Sequence, residues 1–171
     1  MSQTLKTTNK SQKGFTLNEL LIALAITGVI GGTITMSIIQ LVSVNAQNTS
    51  RITALKQVEN ATYWISRDAQ MAQTVQTVGG SGFPLTLTWV DFDNTSNNVT
   101  YSLQSGELRR AYSVNGGQPT VTVVAKQISN NSTATNFQFD GDVLTFKITA
   151  SPGGFRPVSE SRVTQVVPKP R

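Results

Sequence analysis

The spacing of hydrophobic and polar positions changes character along the chain. Residues 1–14 are polar, whereas residues 20–44 form an apolar stretch without a charged side chain. At roughly 1.5 Å per residue this stretch would span about 37 Å as a helix, and a bilayer core needs only about 20 residues. Thr27, Thr33, Thr35, Ser37 and Gln40 dilute it. Threonine and serine hydroxyls can bond back to their own helix carbonyls, so they are tolerated in lipid. From residue 47 to 77 the pattern stays helical but becomes amphipathic. Ile52, Leu55, Val58, Thr62, Ile65, Ala69, Ala72 and Val75 or Gln76 recur at three- and four-residue steps. Arg51, Lys56, Glu59, Arg67 and Asp68 mostly fall off that stripe. Gly79, Gly80, Ser81 and Gly82 then stop the helix, with Pro84 just beyond. The pattern predicts one long helix over residues 16–78, its first half in a membrane and its second half against a sheet.

After Pro84 the period becomes two. Residues 85–90 alternate, and residues 91–98 read as a polar loop. Residues 99–103 and 108–112 form a hairpin around Ser105-Gly106, and residues 121–124 are a short strand. Residues 137–139 and 143–148 flank Asp140-Gly141-Asp142 as the clearest hairpin. Residues 162–167 add a last strand. A helix followed by antiparallel strands is an α+β arrangement. It divides into a leader (1–14), a transmembrane helix (15–44), an amphipathic continuation (45–78) and a β-rich head (79–171).

Composition narrows the chemistry. The 171 residues contain no cysteine and no histidine. Disulfides, cysteine-ligated metal and thiol nucleophiles are therefore excluded, and the commonest general base is missing. No nucleophile–base set supports an enzyme, and no cofactor is implied. The net charge of +5 is concentrated at the start, where Lys6, Lys10 and Lys13 stand without an acid. Outside that leader the adjacent basic pair is Arg109-Arg110, so composition does not argue for nucleic acid. Lysines before the span favour an inside N-terminus and an outside head. Asp91, Asp93 and Asn94, and separately Asp140 and Asp142, invite a calcium reading, but turns favour these residues without any metal. Trp64, Trp89, Tyr101 and Tyr112 read as core or partner contacts. Six Asn-x-Ser/Thr triplets, beginning at Asn48, Asn60, Asn94, Asn98, Asn130 and Asn131, are treated as chance.

Glu19 does not suit a plain anchor, because a carboxylate at membrane depth costs a few kcal/mol if unpaired. The bland alternative is a headgroup-level residue that caps the helix. The string Lys13-Gly14-Phe15-Thr16-Leu17-Asn18-Glu19-Leu20-Leu21 resembles the type III signal of type IV pilins and pseudopilins. Gly14 matches that family's cleavage-site glycine, Phe15 its new N-terminus, and Glu19 its glutamate. Asn18 departs from the pattern, which places an apolar residue there, and the helix-interior proline common in major pilins is absent. Gly28, Gly31 and Gly32 supply weak points instead. The resemblance implies cleavage between Gly14 and Phe15 by a prepilin peptidase and N-methylation of Phe15. It also implies a helix spine packed in the concave face of an antiparallel sheet. The implied partners are other pilin or pseudopilin subunits and an inner-membrane assembly platform. Glu19 of one subunit would pair with the Phe15 amine of its neighbour and set the register of assembly. The late hairpin and arginine-bearing C-terminus are similar to J-type or W-type minor pseudopilins. The rival reading is a secreted or membrane-anchored β-rich adhesin, cleaved after Ala46 at a small-residue site.

Overall fold

The structure, a computed structural model, describes residues 14–77, 82–153 and 157–169. The expectations placed on the leader lysines, on Gly79, Gly80 and Ser81, and on Arg171 lie outside the described residues. Helix α1 (Leu17–Met71) is followed by β1 (Thr74–Thr77), β2 (Leu85–Val90), β3 (Ser96–Gln104), β4 (Glu107–Val114) and β5 (Thr120–Ala125). These strands form one antiparallel sheet in the order β1-β2-β3-β4-β5. A second antiparallel sheet contains β6 (Asn136–Phe139), β7 (Leu144–Ala150) and β8 (Glu160–Val166), in that order. This is the predicted α+β class, a long helix packed on antiparallel sheet. The chain divides into two compact units between Val42 and Ser43, and each has its own logic.

In the first unit every residue from Gly14 to Val42 is exposed, the aliphatic side chains included. The helix satisfies its own polar groups. The hydroxyls of Thr27, Thr35 and Ser37 donate to the carbonyls of Ala23, Gly31 and Thr33, and that of Thr33 to the carbonyl of Ile30, at 2.8–2.9 Å. Helix α1 runs unbroken through Gly28, Gly31 and Gly32, because each backbone amide keeps its helical partner whatever the side chain.

In the second unit α1 buries Ala54, Val58, Ala61, Ile65, Asp68 and Ala69, and Ala72, one residue past its end, is buried as well. The apolar ones share one cluster with Leu85, Leu87 and Trp89 of β2, Val99 and Tyr101 of β3 and Leu108 of β4. Phe137 of β6 and Leu144, Phe146 and Ile148 of β7 join it, as do Val124 and Ala125 of β5. Burying each large side chain contributes about 1.5–3 kcal/mol. The predicted stripe is rotated in part. Ile52 and Leu55 are 53% and 40% exposed, while Ala54 and Ala61 face the sheet. Alanine carries little weight in a hydrophobic pattern, yet its small side chain lets the helix backbone approach the strands closely.

The helix also ends earlier than residue 78. The Ala72 amide closes the last turn on the Asp68 carbonyl at 3.1 Å, and the Gln73 amide donates to the Thr88 carbonyl at 2.8 Å. Residues Thr74–Thr77 then pair with Leu85–Thr88 as β1. Thr, Val and Thr are stiff β-branched residues that suit a pleated surface, and the available partner strand decides the outcome. The polar loop is likewise shorter than predicted. Strand β3 starts at Ser96, and Asn97 is buried opposite Val114. The Ser105-Gly106 hairpin forms as expected, with φ of 50° and 77°, values that suit a type I′ turn. The hairpin between β6 and β7 also forms, with Phe139 opposite Leu144.

Candidate functional site

The N-terminal segment has a defined geometry. The Thr16 backbone N–H and hydroxyl both donate to Oε2 of Glu19 at 2.9 Å, and the Glu19 amide donates to Oγ1 of Thr16 at 3.3 Å. This reciprocal pairing is a capping box, in which residues three apart satisfy the helix's free N-terminal amides. Glu19 is therefore held within its own chain by Thr16, a residue to which the sequence pattern assigns no role. The Thr-x-x-Glu spacing is the signal that would have found it. Phe15 is 88% exposed, and Gly14 has no neighbour within 4 Å of where a Cβ would sit. The segment presents glycine, phenylalanine and glutamate together, immediately before an exposed apolar helix.

The head contains a second constellation that hydrophobic periodicity did not reveal. Asp68 lies on the buried face of α1 with no exposure. Its Oδ2 accepts from the Tyr101 hydroxyl at 2.5 Å and from Nε of Arg110 at 2.7 Å, and its Oδ1 accepts from Nη2 of Arg110 at 3.0 Å. Tyr101 and Arg110 are direct partners across β3 and β4, so the sheet delivers both to one carboxylate. The Arg110 guanidinium lies 5.1 Å from the Trp64 ring centre and 5.0 Å from that of Tyr112. The Tyr112 hydroxyl donates to Oδ1 of Asn97 at 2.6 Å, and Nδ2 of Asn97 donates to Oδ2 of Asp91 at 2.8 Å. Burial opposes the charge of Arg110, but the hydrogen bonds and charge of Asp68 outweigh it and raise the guanidinium pKa. Burial, reinforced by the Asp68 charge, pushes the Tyr101 hydroxyl pKa well above its ordinary value.

Asp68, Tyr101 and Asn97 are buried in this cluster, with Trp64, Arg110 and Tyr112 half-buried around them, and both carboxylate oxygens of Asp68 are paired. The cluster ties helix to sheet and fixes which helix residue meets which strand. Its members include Trp64, Tyr101 and Tyr112, expected from the sequence as core or partner contacts, and Asp68, expected off the buried stripe. Trp89 packs parallel to Tyr112 in the same region.

The acidic turns serve the backbone. Oδ1 of Asp93 accepts from the Thr95 amide at 2.9 Å, and Oδ1 of Asp140 accepts from the amides of Asp142 at 3.0 Å and Val143 at 2.7 Å. Hydrogen bonds from Thr95 hold the Asp93 carboxyl below its usual pKa. Those from Val143 and then Asp142 do the same for Asp140. Among the described residues no group of three His, Cys, Asp or Glu side chains could hold a metal ion. Asp91 is engaged by Asn97, as above.

Comparison with known proteins bears on the N-terminal segment. The prokaryotic N-terminal methylation motif matches residues 9–35. The matched stretch contains Gly14, Phe15 and Glu19 and reaches into the apolar run, and it stops before the head. No curated protein matches the chain, and no solved structure matches it. The chain thus carries a prepilin-type N-terminal methylation motif at the start of one helix long and apolar enough to cross a membrane once. Such a motif implies processing by a peptidase.

Proposed function

We propose that the chain is a minor pilin or pseudopilin, a structural subunit rather than an enzyme. It waits in the cytoplasmic membrane with its leader inside and its head outside. A prepilin peptidase cuts between Gly14 and Phe15, the Phe15 amine is methylated, and the mature chain enters a pilus or a secretion or DNA-uptake pseudopilus. The observation that carries this reading is the match over residues 9–35 on a helix whose aliphatic side chains are all exposed up to Val42. Apolar surface of that extent requires lipid or neighbouring helices around it.

Assembly then becomes an exchange of partners at Glu19. In the uncut chain its carboxylate is held by Thr16. In the filament it turns to the Phe15 amine of a neighbouring subunit, and two charges that are costly apart become tolerable together. Glu19→Val would therefore impair incorporation into the filament while leaving the head folded.

Intact mass with N-terminal tandem mass spectrometry, on protein extracted from its host membrane, tests the reading. Removal of 14 residues leaves 157, beginning at N-methyl-Phe15, and this is the expected result. A chain of 125 residues beginning at Gln47 would overturn it in favour of a secreted β-rich domain.

A further inference from the structure

Strand β5 ends the five-stranded sheet, and among the described residues no strand pairs with its outer side. The direction of its backbone groups follows from the neighbouring hairpin. A two-residue turn makes Gln104 and Glu107 a hydrogen-bonded pair. The Asn115 amide donates to the Ser96 carbonyl at 2.7 Å, which extends the same alternation to the far end. Odd-numbered residues of β4 therefore bond towards β3, and even-numbered ones towards β5. The pairs Arg110–Thr122 and Tyr112–Thr120 thus exchange bonds within the sheet. The N–H and C=O groups of Val121, and of Val123 opposite Arg109, point out of the sheet at its open edge. The side chains of both valines are exposed, at 57% and 39%, while Val124 and Ala125 are buried.

Proteins ordinarily blunt such edges with charge, proline or bulges. Strand β8, which ends the second sheet, carries Glu160 and Arg162. Strand β5 contains neither a charge nor a proline. Its irregularity, opposite Leu108 and Arg109, lies beyond the open stretch. All four of its first residues after Pro119 are β-branched: Thr120, Val121, Thr122 and Val123.

We propose that the open edge of β5 pairs with the same edge of a second copy of this chain, antiparallel and centred on Thr122. This register sets Val121 of each copy against Val123 of the other, and every outward N–H and C=O of these residues finds a partner. It opposes no like charges, because Lys126 falls opposite Gln118. Pro119, which has no N–H, falls opposite Ala125 and closes the ladder. Pairing about a two-fold axis is complete at two copies, so it yields dimers and not fibres. It is independent of the filament assembly proposed above.

The absence of native cysteine makes the register directly testable in the full chain in detergent. Thr122 would face its own counterpart as a non-hydrogen-bonded pair, where a Cα separation of about 4.5 Å lies within the disulfide range. Thr122→Cys is expected to give a disulfide-linked dimer on mild oxidation. Ser102→Cys, exposed on the central strand β3, is expected to remain monomeric. Adding Val121→Pro removes an N–H that points out of the sheet and leaves the β4 ladder intact. It is expected to lower the dimer yield about tenfold. Val123→Lys, a conventional edge block, provides a second variant with the same expected loss. The apolar helix is common to all variants, so helix-driven association cannot produce these differences. Equal dimer yields from Thr122→Cys and Ser102→Cys, or a yield unchanged by Val123→Lys, would overturn the proposal. So would capture of the Thr122→Cys thiol by a different protein in the host membrane in preference to a second copy.

Discussion

One helix serves two environments. From Leu17 to Val42 its aliphatic side chains are all exposed, and from Ala54 to Ala72, one residue past its end, a narrow stripe is buried against strands of the same chain. The exposed stretch is the more hydrophobic of the two, and the buried stripe is mostly alanine with Val58, Ile65 and one aspartate. Hydrophobicity along the helix therefore does not rank burial within the chain. On the proposed function, the exposed stretch is covered by lipid or other subunits, which present apolar surface all round it. The buried stripe depends on a sheet, which selects small side chains on one face and supplies specific polar partners there. Substitutions in the first stretch should alter membrane retention and assembly, and those in the second should alter folding.

The largest effect is expected at Arg110. Arg110→Ala leaves the Asp68 carboxyl buried and without its bidentate partner, and removal of one member of such a pair costs about 3–5 kcal/mol. Denaturant unfolding of the head, followed by tryptophan fluorescence in detergent, would show the loss. Replacing both members, as Asp68→Leu with Arg110→Met, should recover much of it, because no buried charge is then orphaned. A double variant no more stable than the single one would contradict this account of the cluster.

Ile65→Ala and Ile30→Ala give the sharpest contrast between the two stretches. Ile65 is fully buried and Ile30 is 53% exposed. The first substitution should destabilise the head by about 2–5 kcal/mol through lost burial and a residual cavity. The second should leave the unfolding midpoint of the head unchanged. Equal effects on that midpoint would abolish the distinction.

Alkaline pH acts on the same network. The Tyr101 hydroxyl has a folded-state pKa raised above its ordinary value of 10.0. A raised pKa stabilises fully below the unfolded value, and that contribution is lost as pH rises towards the folded one. Head stability should therefore fall from about pH 10 upward, by at most about 1.4 kcal/mol per pH unit from this group. Tyr101→Phe should flatten that slope in a pH series of unfolding midpoints.

The smallest effect belongs to the first turn of the helix. Thr16→Ala removes the cap and should weaken that turn by about 0.5–2 kcal/mol. Amide exchange at Glu19 and Leu20 should accelerate, with the head unaffected. Unchanged exchange at those amides would mean that the capping box does not hold the helix start.

Much of the architecture was legible because local chemistry carried it. Ser105-Gly106 can adopt the positive φ values that a two-residue hairpin requires, and Leu85, Leu87 and Trp89 mark one face of a strand. Other features depend on contacts between distant residues. Thr74–Thr77 suits a strand by composition, but three- and four-residue steps over so short a stretch also fit a helix. Its partner Leu85–Thr88 settles the matter. Asp68 and Arg110 each look like solvated surface charges when read alone, because pairing between residues so far apart leaves no periodic trace. At the N-terminal site Gly14, Phe15 and Glu19 were readable as a short local motif. The part played by Thr16 depends on side-chain geometry at the helix start.

By itself the sequence determined the long apolar segment, the N-terminal motif, the α+β class and the principal hairpins, since each arises from neighbouring residues or from a simple period. The tertiary structure alone decided where the helix ends, which of its faces is buried and how Asp68 is neutralised. It also decided that β5 is left with an open edge. Each of these depends on free energies shared between residues far apart in the chain, where a partner strand or an opposite charge outweighs the local preference.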